Sequence, residues 1–437
     1  MIRFGCHGSK RLCDETRVDA ESHIQHDAGT GLVGSPPRPV APNLFVHSGT
    51  IAFMSLLRIL LTIFLLASFS HADIPITGKA DPALAPFDDL FKAFLAEHDV
   101  PGAAVAVAKD GKLVYARGFG YADRENKSPA EPDNLFRIAS ISKPVTAVAI
   151  LQLVEQGKLK LDDRPFQMLR VEPFLEDGAK VDPRMKDITI LHLLQHTGGF
   201  DRGVSFDPMF KSVEFSQKLG TKPPAGPHEV MRVMMGRTLD HDPGTNYAYS
   251  NYGYAVLGRV IEKVTGQNYD AYVKEHVLKP VGVTRMRIGA TLSDGRADGE
   301  VKYYMQKPTL ASSVFPDHNG NTGEKVPWPY GGWHLEAMDS HGGWIASAPD
   351  LVRFACTFND LDRSPLLKGA SIETMFASPN LKDSKPDVWY GCGWSVRVVG
   401  PGKINTWHSG ALAGTSTILV RRHDGLTWAV HEDGGCP

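Results

Sequence analysis

The sequence predicts an α+β fold: an antiparallel β-sheet built from both chain ends and flanked by helices, with a mainly α-helical subdomain inserted between them. Three observations predict it. Strand patterns occur early (residues 103–119) and return late (residues 389–431). Between them, from about 135 to 290, the spacing of apolar residues turns mostly helical. Asp110-Gly111 and His423-Asp424-Gly425 are hairpin signals that join antiparallel neighbours at each end.

The elements follow in order. Leu84, Phe87, Leu90, Phe91, Phe94 and Leu95 recur at helical spacing, so an amphipathic helix precedes the sheet, and Pro101-Gly102 ends it. Residues 103–108 form a short apolar strand, and 112–119 return as its partner. A helix runs from Ser140 to Gln156 and stops at Gly157; Pro144 fits because it falls in the first turn. Further helices are expected at 190–195, at 252–265 (stopped by Gly266) and at 269–278 (stopped by Pro280). Residues 290–342 are rich in Gly, Pro, Asn and Asp and contain Trp328, Tyr330 and Trp333. That is too long for a passive connection and reads as a covering loop near a site. A helix at 349–358 and strands at 389–398, 405–408, 415–422 and 426–431 complete the pattern.

Charge and cysteine usage narrow the function. With 47 basic and 49 acidic residues, nothing calls for nucleic acid or an anionic membrane as partner. The expected partner is a small-molecule or peptide-like substrate; the oligomeric state stays open. Residues 1–53 lack hydrophobic periodicity and read as a leader outside the fold, either disordered or upstream of the true start at Met54. Arg58, the apolar run from Ile59 to Phe69 and Ser70-His71-Ala72 form a secretory signal pattern over 54–72. The expectation is export to the periplasm or outside the cell, with membrane contact only through that segment; anchoring by the uncleaved segment is the alternative. Cys356, Cys392 and Cys436 match no zinc or redox spacing, and two inert thiols are favoured over a Cys356–Cys392 bridge. No cofactor is expected and no metal: His228-Glu229 lacks the second histidine of a zinc motif.

Three stretches carry chemistry. In Ser140-Ile141-Ser142-Lys143, residues three apart share a helix face, so a hydroxyl and an amine project together. A serine needs a base to become a nucleophile, and a desolvated lysine amine is one. Tyr249-Ser250-Asn251 follows Pro243-Gly244 and offers a phenol, able to relay a proton if a cation lowers its pKa, and an amide for a substrate ester or amide group. His408-Ser409-Gly410 lies near a strand end, where glycine lets a substrate oxygen approach closely. Taken singly, these are a helix cap with a surface lysine, turn residues and a buried histidine; their order together is what carries weight. The elbow Gly-x-Ser-x-Gly is absent.

In this order, Ser-x-x-Lys, Tyr-x-Asn and His-x-Gly resemble the serine β-lactamase and penicillin-binding-protein superfamily, in particular its class C branch with related esterases and D-amino-acid peptidases. Residues 188–199 and 342–347 are similar to that family as well. The resemblance implies a β-lactamase/transpeptidase-like fold in one catalytic domain over 73–431. Its α/β part would span about 84–134 and 343–431, and its helical part about 135–342, before an irregular tail at 432–437. It implies that Ser140 is acylated, that Lys143 and Tyr249 share the base role, and that Asn251 positions the acyl side chain. Backbone N–H groups of Ser140 and Ala411 would form the oxyanion hole, beside His408, Ser409 and Gly410 as substrate-binding residues.

The chain departs from the family in two places. His408 stands where the family usually has lysine; a neutral imidazole gives only a hydrogen bond near pH 7, which favours a simple ester or amide over carboxylate-bearing β-lactams. The last residues lack the helical pattern that normally follows the final strand, so truncation at about 431, with one sheet face less covered, is expected. The favoured reading is an exported serine hydrolase acting through an acyl-enzyme. Its alternatives are a true class C-type β-lactamase or D-alanyl-D-alanine carboxypeptidase, a penicillin-binding sensor without turnover, and an inactive truncated member.

Overall fold

The computed structural model describes residues 74–379, 381–382 and 385–434, and everything below refers to these. The expected leader and signal segment, Cys436 and the last residues of the tail lie outside them. From Pro75 onward the chain forms one compact unit.

Chain entry is a short strand β1 (Ile76–Thr77) and helix α1 (Ala85–His98). The helix ends earlier than Pro101 because Asp99 adopts a left-handed conformation (φ 48°) and its N–H closes onto Leu95. Strands β2 (Gly102–Lys109) and β3 (Lys112–Asp123) form the expected hairpin, with Asp110 and Gly111 both at positive φ, and β4 (Ser128–Pro129) adds to the end of β3. β5 (Phe136–Arg137) leads into a 3₁₀ turn, Ala139–Ile141, and then helix α2 (Ser142–Glu155). The helical part continues with α3 (Pro165–Leu169), α4 (Ile190–Leu194), α5 (Ser212–Leu219), α6 (Pro227–Met234), α7 (Asn251–Thr265) and α8 (Tyr269–Val273). The helix expected to stop at Pro280 instead passes through a π-helical segment, Lys274–Leu278, and a 3₁₀ turn, Lys279–Val281. Pro280 sits in the first turn of that last piece, where its missing N–H breaks no bond.

The region expected to be helical up to residue 342 is not wholly so. β5 pairs with β9 (Trp344–Ala346), which also pairs with β6 (Arg287–Ile288), and β7 (Leu310–Ser312) pairs with β8 (Lys325–Pro327). Arg137 ties residues 290–330 down: it is fully buried, donates to the carbonyls of Ala290, Thr291 and Pro329, and stacks 4.2 Å from the Tyr303 ring centre. Trp333 and Trp344 are core residues rather than cleft walls.

After α9 (Ala348–Cys356) and α10 (Gly369–Phe376) come β10 (Val388–Tyr390), β11 (Ser395–Gly400), β12 (Lys403–Leu412), β13 (Thr415–Arg421) and β14 (Leu426–Glu432). The single strand expected at 389–398 is two. Between them Cys392 N–H donates to Met375 and Trp394 inserts among Phe354, Phe358 and Phe376. The main sheet runs β1-β3-β2-β14-β13-β12-β11-β10 with every pairing antiparallel, so the first and last long strands, β2 and β14, lie side by side at its centre. The final strand reaches Glu432, and Asp433 is buried, accepting from Gly102 N–H at 2.7 Å; these two residues are not irregular tail. On the outer face Ile418, Val420 and Trp428 are partly buried. Cys356 and Cys392 are free thiols. No described helix is long and apolar enough to cross a membrane.

Candidate active site

Helix α2 is the axis of the site. Every residue from Ser142 to Leu153 is buried, so the helix is packed on all sides, its polar members Ser142, Lys143, Thr146 and Gln152 included. Ser140 lies in the 3₁₀ turn just before it and stays partly exposed. The turn opens with a strained residue, Ala139 at φ 45°. Its neighbour Ile138 is held on both sides: its N–H donates to Trp344, and its carbonyl accepts from Thr417 Oγ1 at 3.2 Å.

The expected trio converges. Lys143 is fully buried, and its Nζ lies 2.9 Å from Ser140 Oγ, 2.8 Å from Asn251 Oδ1 and 2.9 Å from the His341 carbonyl oxygen. Tyr249 lies near enough to Ser140 for that hydroxyl to lower the phenol's pKa, and Lys143 Nζ sits 4.7 Å from the Tyr249 ring centre. Burial, seconded by the nearby Arg202 charge, drives the Lys143 ammonium well below its ordinary pKa, against an opposing pull from Asp207. A neutral amine has two N–H donors and one lone pair. Asn251 Oδ1 and the His341 carbonyl only accept, so a neutral amine gives them its two N–H groups and turns its lone pair to Ser140 Oγ, whereas an ammonium donates to all three. The Tyr249 phenol departs from expectation: burial raises it, and this outweighs the lowering by Ser140 and Arg202. Burial thus opposes ionisation of both groups: it lowers the Lys143 ammonium and raises the Tyr249 phenol.

The Tyr249 loop is pinned by His196. The His196 carbonyl accepts from Ala248 N–H at 2.8 Å, and its ring Nδ1 accepts from Ser250 N–H at 3.2 Å, one bond on each side of Tyr249. With Nδ1 accepting, the ring proton is on Nε2; burial above all drives the pKa of this imidazole well down, and the Arg202 charge acts in the same direction. Asn251 opens α7, whose cap is Ser250, and Asn251 Nδ2 donates to Asp207 Oδ2 at 2.6 Å. A carboxylate can only accept, so Asp207 fixes the amide with its oxygen towards Lys143. The side chain expected to position substrate is thus bonded at both ends within the protein, with one N–H left over.

β12 supplies the other wall. Its pairing with β11 ends at Trp407, so from His408 to Leu412 that edge is open, and Ser409 and Ala411 are exposed along it. Gly410 points inward. A Cβ there would lie 2.2 Å from the Ile138 carbonyl oxygen, so the close approach that glycine allows is that of the nucleophile's own backbone segment. His408 was expected to offer substrate a hydrogen bond. It is only 4% exposed, with Nδ1 2.6 Å from the Ser409 carbonyl oxygen and Nε2 2.9 Å from Tyr390 Oη. Nδ1–H donates to Ser409, so Nε2 accepts from Tyr390, and both nitrogens are occupied. Burial holds the ring at a pKa of about 3, so it is neutral.

Tyr390, His196, Asp207 and Arg202 were not singled out as site residues from the sequence. His196 lies within a stretch similar to the family; the other three had no local signal.

The comparisons with known proteins bear on the family and the fold. The model of the Beta-lactamase family matches residues 87–432. Penicillin-binding protein 4* of Bacillus subtilis (strain 168) is 28% identical over 339 residues, covering 77% of this chain and 68% of that protein. Protein flp of Staphylococcus aureus (strain MW2) is 31% identical over 228 residues, 51% of this chain and 42% of its own length, so the chain spans less than half of that relative. The octameric penicillin-binding protein homologue from Pyrococcus abyssi superposes with a TM-score of 0.62 at 26% identity, covering 80% of this chain and 73% of that one. EstCE1, a hydrolase with promiscuous acyltransferase activity, shares the fold with a TM-score of 0.62 at 23% identity, over 80% of this chain and 94% of its own. A match from residue 87 to residue 432, on a sheet completed by both chain ends, makes this chain a member of the beta-lactamase family.

Proposed function

We propose that the protein is an exported serine hydrolase that cleaves an ester or amide through an acyl-enzyme on Ser140. The observation that supports this best is the placement of Lys143: a fully buried amine whose pKa burial drives down, with Nζ 2.9 Å from Ser140 Oγ and acceptor-only partners in Asn251 Oδ1 and the His341 carbonyl. Ser140 Oγ attacks the substrate carbonyl carbon as its proton passes to Lys143. The oxyanion is met by the backbone N–H groups of Ser140 and Ala411; one such donor is worth about 3–4 kcal/mol of barrier. As the bond to the leaving group breaks, Tyr249 supplies the leaving group's proton and is reprotonated from Lys143. Water then attacks the acyl carbon, its proton returning through the same pair, and Ser140 is freed. A neutral, internally bonded His408 favours substrates that need no cation on β12.

Intact-mass measurement after treatment with a fluorophosphonate or a labelled β-lactam tests the reading. One adduct on Ser140 is expected, absent in Ser140→Ala, together with continuous turnover of a nitrophenyl ester. Adduct formation followed by a single stoichiometric burst would make the protein a penicillin-binding sensor instead; no adduct at all would refute the nucleophile. Export is tested by mapping the N-terminus of secreted protein, expected close to residue 73.

A further inference from the structure

Two of the basic side chains at the site cannot meet a substrate anion. Lys143 is buried and bonded on all sides, and His408 is neutral with both ring nitrogens occupied. Arg202 differs. Its side chain is 24% exposed, and it makes no hydrogen bond to any described residue. The nearest carboxylate oxygen, Asp207 Oδ2, is 3.9 Å away. That carboxylate is already held by the Asn251 amide at 2.6 Å and by Met209 N–H at 3.1 Å. Arg202 Cζ lies 4.9 Å from the centre of the Tyr249 ring, and Lys143 Nζ, bonded to Ser140 Oγ, lies 4.7 Å from the same centre.

Resting on the acyl-enzyme reading above, we propose that Arg202 is a specificity-determining residue that binds an anionic group on the substrate, such as a carboxylate, from the helical wall of the cleft rather than from β12. A guanidinium presents a planar fork of donors that matches a carboxylate in bidentate fashion. Here the fork makes no hydrogen bond to a described residue, only the 3.9 Å ion pair with Asp207, and its place over the Tyr249 ring holds it before substrate arrives, which lowers the entropy lost on binding. An anion at this position also acts on the chemistry. During attack Lys143 becomes an ammonium, which Arg202 repels. A substrate carboxylate on Arg202 offsets that repulsion as the charge forms, so its effect is larger in the transition state than in the ground state.

The test uses two matched pairs of esters. In one, a 4-nitrophenyl ester carries a free carboxylate on the acyl part, against its neutral methyl ester; in the other the carboxylate is on the leaving phenol, again against its methyl ester. The parent is expected to favour the charged member of at least one pair by about 10-fold or more in kcat/KM. Arg202→Gln is expected to abolish that preference, with a smaller fall on the neutral member, and Arg202→Lys to retain part of it. Equal rates within both pairs, or a preference that survives Arg202→Gln, overturns the proposal. Calorimetric binding of the same pairs to Ser140→Ala protein separates it from the acyl-enzyme reading. An Arg202-dependent preference in binding without turnover in the parent refutes the acyl-enzyme and supports the anion site. Turnover without any preference refutes only the anion site.

Discussion

Gly410→Ala links the sheet to the nucleophile, and its cost follows from the coordinates. The added Cβ would stand 2.2 Å from the Ile138 carbonyl oxygen and 2.8 Å from Thr417 Oγ1. Contacts of this kind do not close below 3.0 Å, so strand and segment must part by about 0.8 Å. Ile138 cannot yield alone. Its N–H is bonded to Trp344 and its carbonyl accepts from Ile141 as well as Thr417, so the shift passes to Ser140 two residues on. A displacement of about 1 Å at a reacting group costs on the order of 100-fold in rate. Overpacking adds about 1–3 kcal/mol of destabilisation, a loss of several degrees in Tm. The assay is the rate of Ser140 modification by a fluorophosphonate beside a thermal melt. Gly400→Ala in β11 is the control, since its Cβ meets nothing closer than Lys403 at 3.7 Å. Acylation of Gly410→Ala within a few-fold of the parent, whatever its Tm, would refute the coupling of β12 to the nucleophile.

Two further substitutions test the electrostatics. Asp207→Asn removes a charge-assisted bond worth about 1.5–3 kcal/mol and frees the Asn251 amide to turn, so acylation is expected to fall about 10- to 100-fold. Because Asp207 raises the Lys143 pKa, its loss also moves the acidic limb of the kcat/KM profile to lower pH; a limb in its parental position would contradict this charge assignment. His431→Phe tests a buried base outside the chemistry. His431 stacks 5.3 Å from Phe136, has no hydrogen-bond partner among the described residues, and is held by burial at a pKa of about 3, against 6.5 ordinarily. Between those values the unfolded chain binds a proton that the folded protein excludes, so stability is lost as pH falls through that window. Glu432, pushed up to about 7 by burial, works the other way between 7 and 4.5, where the folded state takes the proton first. Removing His431 therefore flattens the acid loss by about 1.4 kcal/mol per pH unit between pH 6 and 4, read by denaturant titration; a curve parallel to the parent's would refute it.

The sequence exposed those parts of the site whose geometry is local. Ser140 and Lys143 meet because a helical turn brings residues three apart onto one face, and Asn251 follows Tyr249 by two residues at a helix start capped by Ser250. The two hairpins and the central pairing of the chain ends were legible because Asp-Gly turns and alternating strands are short-range signals. What stayed hidden depends on distant partners. Nothing near residue 207 says that its carboxylate will orient an amide 44 positions on, and nothing near His408 says that Tyr390 will occupy its ring nitrogen. The same reason explains the split of the strand expected at 389–398, where Trp394 leaves the ladder for an aromatic cluster supplied by α9, the residues after it and α10. Tyr249 is the instructive failure. A neighbouring cation argues for a lowered phenol, but burial of the ring is the larger effect and reverses the sign.

That reversal bears on how, in the proposed reaction, the start of one buried helix holds a base beside a nucleophile in the 3₁₀ turn before it. Lys143 is the second residue of α2, within the first turn, where the unsatisfied N–H groups and the helix dipole place positive potential. That potential disfavours an ammonium and favours the oxyanion that forms on the substrate beside Ser140, so a single feature of α2 assists both charges the reaction needs. Desolvation and Arg202 act in the same direction on Lys143; only Asp207 opposes, and its carboxylate is neutralised in part by the Asn251 amide and Met209 N–H. The neighbouring imidazoles of His196, His341 and His408 all have their pKa lowered, by burial above all, which disfavours their taking the serine proton or carrying a charge that would repel an ammonium on Lys143. The proposed base is therefore the Lys143 amine, 2.9 Å from Ser140 Oγ, with no neighbouring imidazole favoured over it.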